Sequence, residues 1–220
     1  MTLWISRGLA VAFLLLWILA GADPASAQAA GREDPLDARV QRFLDGARNQ
    51  WRDWNIPYED GKVLHDLIVK NNFKRALEIG TSTGHSAIWM AWALSKTGGK
   101  LITIEIDRAR YETAVRNFET AGVASYIDAR LADAHRLVKA LEGPFDFVFS
   151  DADKDWYPQY FKDLDPKLVI GGCYTAHNAL RSGGQGVAQF LAYVRSLPNY
   201  QTRIDRTSSE GISISCKVAK

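Results

Sequence analysis

The sequence has only two cysteines, Cys173 and Cys216, and they lie in no zinc or redox spacing. Such residues are more often inert in a core, although a bridge can form if the two predicted strands that carry them are neighbours. The sequence also lacks internal repeats, low-complexity segments and basic runs, because its 27 basic and 25 acidic residues are interspersed. A nucleic-acid partner is therefore not expected.

The N-terminal apolar run is short for a membrane span, and no twin-arginine pair precedes it. Residues 1–27 contain one basic side chain, then an apolar stretch, then small residues at Ala25 and Ala27. This pattern predicts a secretory signal peptide cut after Ala27 and an exported protein, with an uncleaved membrane anchor as the second choice. Residues 28–38 are interpreted as a flexible tether and residues 39–220 as one folded domain.

The dinucleotide fingerprint G-x-G-x-x-G is absent from the one glycine-rich turn that follows a buried strand, "RALEIGTSTGHS". Ser82 takes the middle glycine position, and the pattern is Glu78-x-Gly80-x-x-x-Gly84. An apolar helix follows, so the segment predicts a strand-to-helix turn that binds a ligand other than a nicotinamide cofactor. A glycine-rich turn that only packs is the alternative.

Acidic residues end two further predicted strands. Glu105 closes "KLITIE", where a carboxylate can accept hydrogen bonds from a ribose diol, whereas Asp107 suits an N-cap of the next helix. Asp133 follows the third strand and can accept from an adenine amino group or cap a helix. Both positions predict a nucleoside-containing ligand at the carboxyl edge of a parallel sheet.

The fourth and fifth predicted strands end in the residues that are best suited to catalysis or ligand binding. "FDFVFSDADKDWY" places Asp151 at a strand tip and Lys154 just beyond it, and "GGCYTAHN" ends in His177 and Asn178 after a break at Gly171–Gly172. These side chains are expected to meet in one crevice, because the carboxyl ends of parallel strands lie at the same edge. A solvated charged loop is the alternative.

Several aromatic residues occur near the start of the predicted domain. Helical spacing runs from Val40 to Trp54, and Trp51, Trp54 and Tyr58 can either cover the active site or pack the N-terminal helix onto the domain. The last two segments, 200–208 and 211–219, predict a closing antiparallel hairpin.

Together, "LEIGTSTGHS", "ITIEID", "DADK..Y" and "GGCYTAHN" resemble the catechol and caffeoyl-CoA type of O-methyltransferase, over about residues 59–217. The resemblance implies an α/β fold of the Rossmann-like class I methyltransferase type. This fold is a three-layer sandwich with a seven-stranded, mostly parallel sheet and a C-terminal antiparallel hairpin. It also implies an enzyme that uses S-adenosylmethionine to methylate a hydroxyl of a small, aromatic acceptor. A homodimer is left open, and no membrane contact beyond the leader is expected.

The family's residue roles fall on matching positions of this chain. Asp151 and Lys154 are the implied catalytic residues, with Lys154 taking the substrate proton. A divalent metal, magnesium or manganese, is implied at Asp151, His177 and Asn178. The implied cofactor-binding residues are Glu78, Gly80, Gly84, Ser86, Glu105 and Asp133.

The sequence departs from the family at His177, which stands where the family has a metal-binding aspartate. A neutral imidazole weakens a magnesium site and favours softer metals, and the alternative is a metal-free site in which His177 and Lys154 accept protons. Ala192 stands where some members carry a glutamate that contacts a second catechol hydroxyl, so catechol specificity is not supported. A protein of this fold that binds a ligand or partner without catalysis is the second hypothesis.

Overall fold

The structure, a computed structural model, describes Met1, residues 35–180 and residues 184–220. The predicted signal peptide and most of the predicted tether therefore lie outside the described residues, and the described fold is that of the domain from residue 35 onward. Among the described residues, no helix combines the length and apolar character that a membrane crossing needs.

Within residues 35–180 and 184–220, the structure has seven α-helices and seven strands, which alternate except at the two ends of the domain. The helices are α1 Leu36–Ala47, α2 Tyr58–Asn71, α3 His85–Thr97, α4 Arg108–Ala121, α5 Ala134–Ala140, α6 Tyr157–Leu164 and α7 Gly184–Ser196. The strands are β1 Arg75–Ile79, β2 Lys100–Glu105, β3 Ile127–Leu131, β4 Phe145–Ser150, β5 Leu168–His177, β6 Tyr200–Asp205 and β7 Ile212–Lys217.

The strands form one sheet in the order β3-β2-β1-β4-β5-β7-β6. Strands β1 to β5 are parallel, and β7 inserts antiparallel between β5 and β6. The strand order reverses between β1 and β4, where a crevice opens at the carboxyl ends of the strands. The predicted seven-stranded sheet with its antiparallel hairpin is confirmed.

Helices cover both faces of the sheet, as the apolar runs of the central strands require. Helices α1 to α4 pack on one face and α5 to α7 on the other. Neighbouring residues of β4 point to opposite sides, so that Phe147 packs with the first group and Val148 with the second. This two-sided burial holds the strand tips, and the side chains they carry, in fixed positions.

Helix α1 differs from its predicted bounds at both ends. It begins at Leu36, inside the segment assigned to the tether, because Leu36, Val40 and Leu44 recur at four-residue spacing and face the core. It ends at Ala47 and does not reach Trp54, because Asp53 and Trp54 adopt left-handed φ values of 58° and 64°. Trp51 and Trp54 therefore belong to a loop, whereas Tyr58 begins α2.

Strand β5 also corrects the sequence interpretation. Gly171 and Gly172 were predicted to break the chain before the strand, but they lie inside Leu168–His177. The pairing register with β4 shifts between Phe145 and Phe147, and the extra residues form a bulge that the positive φ of Gly171, 85°, accommodates.

Cys173 and Cys216 form a disulfide, where the sequence favoured two inert core residues. The bridge forms because β7 inserts beside β5 and places the two cysteines directly opposite each other in the antiparallel ladder. Cys173 is also buried in the core on the side of α1 to α4. The disulfide therefore fixes the register of the strand that ends at His177.

Candidate active site

A cavity of about 880 Å³ opens at the carboxyl edge of the sheet. This size suits a cofactor or a drug-sized ligand. The predicted site residues on its wall are Gly80, Glu105, Asp133, Asp151, Lys154, His177 and Asn178. Glu78, Gly84 and Ser86 lie outside that wall.

The turn after β1 needs glycine at two positions. Gly80 has φ of 96°, and a Cβ atom there would lie 2.8 Å from the backbone oxygen of Asp151. Gly84 has φ of 100°, and a Cβ atom there would lie 2.5 Å from the Phe118 ring. Gly80 thus allows close contact between the β1 and β4 tips, whereas Gly84 allows α3 to pack on α4.

Glu78 is buried behind the turn. Ser86 donates to its Oε1, and Thr103 donates to its Oε2 at 2.5 Å. Burial raises the pKa of Glu78 to about 8, although these two hydrogen bonds oppose the shift. Glu78 and Ser86 therefore support the turn from inside the protein.

Glu105 holds the loop at the β2 tip. Its Oε2 accepts from the backbone N–H of Ser82 at 2.7 Å, and its Oε1 accepts from Ile106 and Asp107 at 3.0 and 2.9 Å. A carboxylate has about four acceptor positions, so Glu105 can still accept from a ribose hydroxyl. Its place on the cavity wall fits the predicted ribose contact.

Asp107 and Asp133 both cap helices. The side chain of Asp107 accepts from Arg110 N at the start of α4, as predicted. The side chain of Asp133 accepts from His135 N at 2.9 Å at the start of α5 and also lines the cavity. Capping fixes the orientation of the Asp133 carboxylate and leaves acceptor capacity toward a ligand.

Lys154 and Asp151 form a direct pair on the cavity wall. Lys154 Nζ donates to Asp151 Oδ1 at 2.5 Å and to the Tyr157 hydroxyl at 3.0 Å. A single turn of 3-10 helix at Lys154–Trp156 brings the lysine back over the β4 tip. The expected meeting of Asp151 and Lys154 in one crevice is therefore confirmed.

His177 lies between two carboxylates. Its Nε2 is 2.9 Å from Asp60 Oδ2, and its Nδ1 is 3.3 Å from Asp151 Oδ1. Burial would lower the pKa of His177, but Asp151 and then Asp60 raise it to about 9. Burial would likewise raise the pKa of Asp151, but the charges of His177 and Lys154 hold it below its usual range. The ring is therefore the centre of a buried charged row.

The three predicted metal ligands do not form a ligand set as placed. Asp151 offers the same oxygen, Oδ1, to Lys154 and to His177. Asn178 donates its amide to Glu210 Oε2 at 2.8 Å. In the part of the chain that the structure describes, no three His, Cys, Asp or Glu residues converge on a point that could hold a metal ion. These donors do not fit magnesium, which requires near-octahedral oxygen ligation, so we assign no step to a metal.

Aromatic residues form part of the cavity wall. Trp51 stacks on His85 with ring centroids 4.4 Å apart, and Tyr58 lies edge-on to Trp89 at 5.0 Å. Trp51, Trp54 and Tyr58 all line the cavity, and Trp54 remains 83% exposed. Both predicted roles apply, since Trp51 and Tyr58 pack on the domain while they border the cavity.

Asp60 is the functional residue that sequence interpretation missed. It was assigned to the loop "NIPYEDG", but it lies in the first turn of α2 and is buried. A signal was present, because residues 60, 64 and 68 share one helix face and the other two, Leu64 and Ile68, are apolar. A carboxylate on an apolar face needs a partner, and here that partner is His177.

Glu105→Ala is expected to weaken S-adenosylmethionine binding by about 1.5 to 3 kcal/mol, because hydrogen bonds to a charged group are lost. Calorimetric titration measures the affinity, and circular dichroism checks that the fold persists. Glu112→Ala, on the exposed side of α4, is the matched control and should bind like the wild type. Unchanged affinity in folded Glu105→Ala would remove Glu105 from the cofactor site.

Comparison with known proteins agrees with this geometry. A family model described as O-methyltransferase matches residues 33–189. Caffeoyl-CoA O-methyltransferase 1 of Eucalyptus globulus is 35% identical over 142 residues, which cover 62% of this chain and 57% of that protein. Catechol O-methyltransferase of Niastella koreensis is 39% identical over 133 residues, which cover 59% of this chain and 60% of that protein. The match thus spans less than two thirds of these curated relatives.

The fold is similar to that of solved structures as well. O-methyltransferase TomG of Streptomyces achromogenes, determined in complex with S-adenosylmethionine, superposes with a TM-score of 0.68 at 25% identity. The superposition covers 89% of this chain and 95% of TomG.

Proposed function

We propose that this chain, which belongs to the O-methyltransferase family, transfers the methyl group of S-adenosylmethionine to a hydroxyl of a small, aromatic acceptor. The observation that carries the proposal is the position of Lys154 Nζ, paired with Asp151 on the wall of a cavity that also contains Glu105. A proton acceptor and a ribose acceptor in one cavity suit a reaction between a nucleoside cofactor and a second ligand.

The cofactor end of the cavity supports S-adenosylmethionine. Gly80, Glu105 and Asp133 line one cavity, and we assign them to the methionine, ribose and adenine parts of the cofactor in that order. The S-adenosylmethionine complex of the structurally similar TomG supports the same choice of cofactor. When bound, the cofactor supplies an electrophilic methyl group on a positively charged sulfur.

Lys154 is the proposed proton acceptor. Lys154 is a cation in its resting pair with Asp151 and must first release one proton to solvent. The neutral Nζ would then use its two N–H groups toward Asp151 and Tyr157, so that its lone pair remains for the acceptor hydroxyl. Nζ would take the hydroxyl proton as the acceptor oxygen received the methyl group that the cofactor supplies, and the electron pair of the broken C–S bond would stay on sulfur. Asp151 then stabilises the ammonium that has formed.

Alignment of the two reactants is the other contribution to the rate of methyl transfer. Holding them in reacting geometry can supply about 7 to 11 kcal/mol of the barrier reduction. Trp51 and Tyr58 line the same cavity as Lys154 and offer flat surfaces on which an aromatic acceptor can pack.

Two measurements test the proposal. Calorimetric titration with S-adenosylmethionine and S-adenosylhomocysteine is expected to give saturable binding in about the 1 µM to 1 mM range. Mass spectrometry should then detect methylation of hydroxylated aromatics, whereas the matched methoxy compounds, which lack the hydroxyl, should not react. Absence of cofactor binding would overturn the proposal. Binding without turnover across the panel would favour the non-catalytic alternative.

We also propose that the protein acts outside the cytoplasm. The leader pattern of residues 1–27 and the Cys173–Cys216 disulfide support this, because disulfides persist mainly in oxidising compartments. The mature protein is expected to begin at Gln28, as N-terminal sequencing of the extracytoplasmic fraction would reveal. Recovery of the protein in the cytosol with Met1 intact would contradict export.

A further inference from the structure

The row Asp60–His177–Asp151 is built from groups that lie far apart in sequence and are almost fully enclosed. The side chains of Asp60, His177 and Asp151 are 1%, 6% and 9% exposed. Ser208 donates its hydroxyl to Asp60 Oδ2 at 2.8 Å, the same oxygen that contacts His177 Nε2. Asp60 is therefore fixed from two sides, and it orients the imidazole ring.

The His177 ring contacts the carboxylates of Asp60 and Asp151 at the same time. An ionised carboxylate only accepts hydrogen bonds, so a neutral ring could satisfy one of them and would turn a lone pair toward the other. A buried carboxylate also needs an opposite charge nearby. His177 meets both needs only when both of its nitrogens carry hydrogen, and in that form neither nitrogen can bind a metal ion.

The contacts of Asp151 lead to the same conclusion. Its Oδ1 faces Lys154 Nζ at 2.5 Å and His177 Nδ1 at 3.3 Å, so two cationic side chains already surround the oxygen that a metal would use. A divalent ion there would have to displace one of them. Two buried carboxylates, Asp60 and Asp151, are thus balanced within the protein by His177 and Lys154.

We propose that His177, positioned by Asp60, is a built-in cation that takes the place of a divalent metal beside Asp151, so that this chain acts without a metal. The inference rests on the proposed methyl transfer for its catalytic consequence. His177 lies on the cavity wall, where its charge stabilises the negative charge that develops on the acceptor oxygen. Asp60 is a positioning residue, because it acts through His177.

Metal titration is the first test, and it does not depend on turnover. Calorimetry of the full chain with magnesium chloride and with manganese chloride should show no saturable binding. His177→Asp removes the internal cation and adds a carboxylate beside Asp151 and Asn178. This variant should show saturable magnesium binding, at least about tenfold tighter than the weakest binding that the wild-type titration could have detected. Saturable binding of either ion to the wild type, weakened by His177→Ala, would overturn the proposal.

The state of the ring is the second test. In ¹⁵N-histidine-labelled protein at neutral pH, both ring nitrogens of His177 should give the signature of nitrogens that carry hydrogen, with His177→Gln used to assign the signals. A lone-pair signature on Nδ1 would show a neutral ring available to a metal and would overturn the proposal.

Activity separates Asp60 from a merely structural residue. Asp60→Asn should lower kcat by at least about tenfold, as expected when a charged hydrogen-bond partner is lost, with cofactor affinity unchanged. Asp66→Asn, on the exposed face of the same helix, is the matched control.

A chelator tests the metal-free site by activity. Wild-type turnover should survive a chelator, whereas His177→Asp should require added magnesium. Loss of wild-type turnover in chelator would reject the metal-free site. If no acceptor is methylated, the proposed function fails, while the metal titration and the ring signals still decide this inference.

Discussion

Lys154→Met is expected to lower kcat by about 10²- to 10⁴-fold, the range that general base catalysis contributes. Methionine keeps the length and apolar stem of the side chain but has no nitrogen to accept the hydroxyl proton. The affinity for S-adenosylmethionine should not change, because the predicted cofactor contacts lie at Gly80, Glu105 and Asp133. Steady-state kinetics and calorimetry measure the two quantities separately.

Two further variants define the role of Lys154. Lys154→Arg retains the positive charge beside Asp151, yet arginine stays protonated in proteins and cannot act as a base, so it should be nearly as inactive. Lys162→Met, at an exposed position of α6, should retain wild-type activity. High activity in Lys154→Arg would show that the residue supplies only charge and would remove it as the proton acceptor.

Loss of the Cys173–Cys216 disulfide is expected to lower the free energy of unfolding by about 2 to 4 kcal/mol. The cysteines are 43 residues apart, so the bridge removes many conformations from the unfolded chain. Denaturant unfolding of the wild type should therefore shift to lower urea concentration when a reductant is added. Cofactor binding should persist, because the bridge lies on the far side of β5 from β1.

Cys173→Ala/Cys216→Ala is the control for this effect. It should match the stability of the reduced wild type and should not respond to reductant. Alanine is preferred over serine because Cys173 is buried, where a hydroxyl would need a partner. Two reactive thiols per molecule in unfolded, unreduced protein, or equal stability of the oxidised wild type and the variant, would contradict the prediction.

The strand tips could be predicted from the sequence because their signals are local. Glu105, Asp151 and His177 each end an apolar run, and the topology of a parallel sheet brings such residues to one edge. The positive φ of Gly80 was likewise visible as a glycine that ends a strand. The crevice therefore followed from the residue pattern, whereas the seven-stranded fold followed from the resemblance of the motifs to the O-methyltransferase family.

The partner of His177 could not be predicted in this way. Asp60 is 117 residues away in sequence, and its contact depends on how α2 packs over the sheet. The disulfide depends on the place of β7 beside β5, which sets the register of Cys173 and Cys216. Residues 48–54 were wrongly assigned to a helix because the left-handed turn at Asp53 and Trp54 uses no glycine. These features arise from packing between distant segments, which single-residue preferences do not encode.

The close approach of Gly80 to Asp151 couples the positions of the β1 and β4 tips. The backbone at Gly80 touches the peptide that joins Asp151 to Ala152, with no room for even a methyl group between them. Packed interiors transmit small displacements and do not absorb them. A displacement of the β1 turn would therefore also move the backbone at the β4 tip, so the spacing between Gly80 and Asp151 on the cavity wall is held constant.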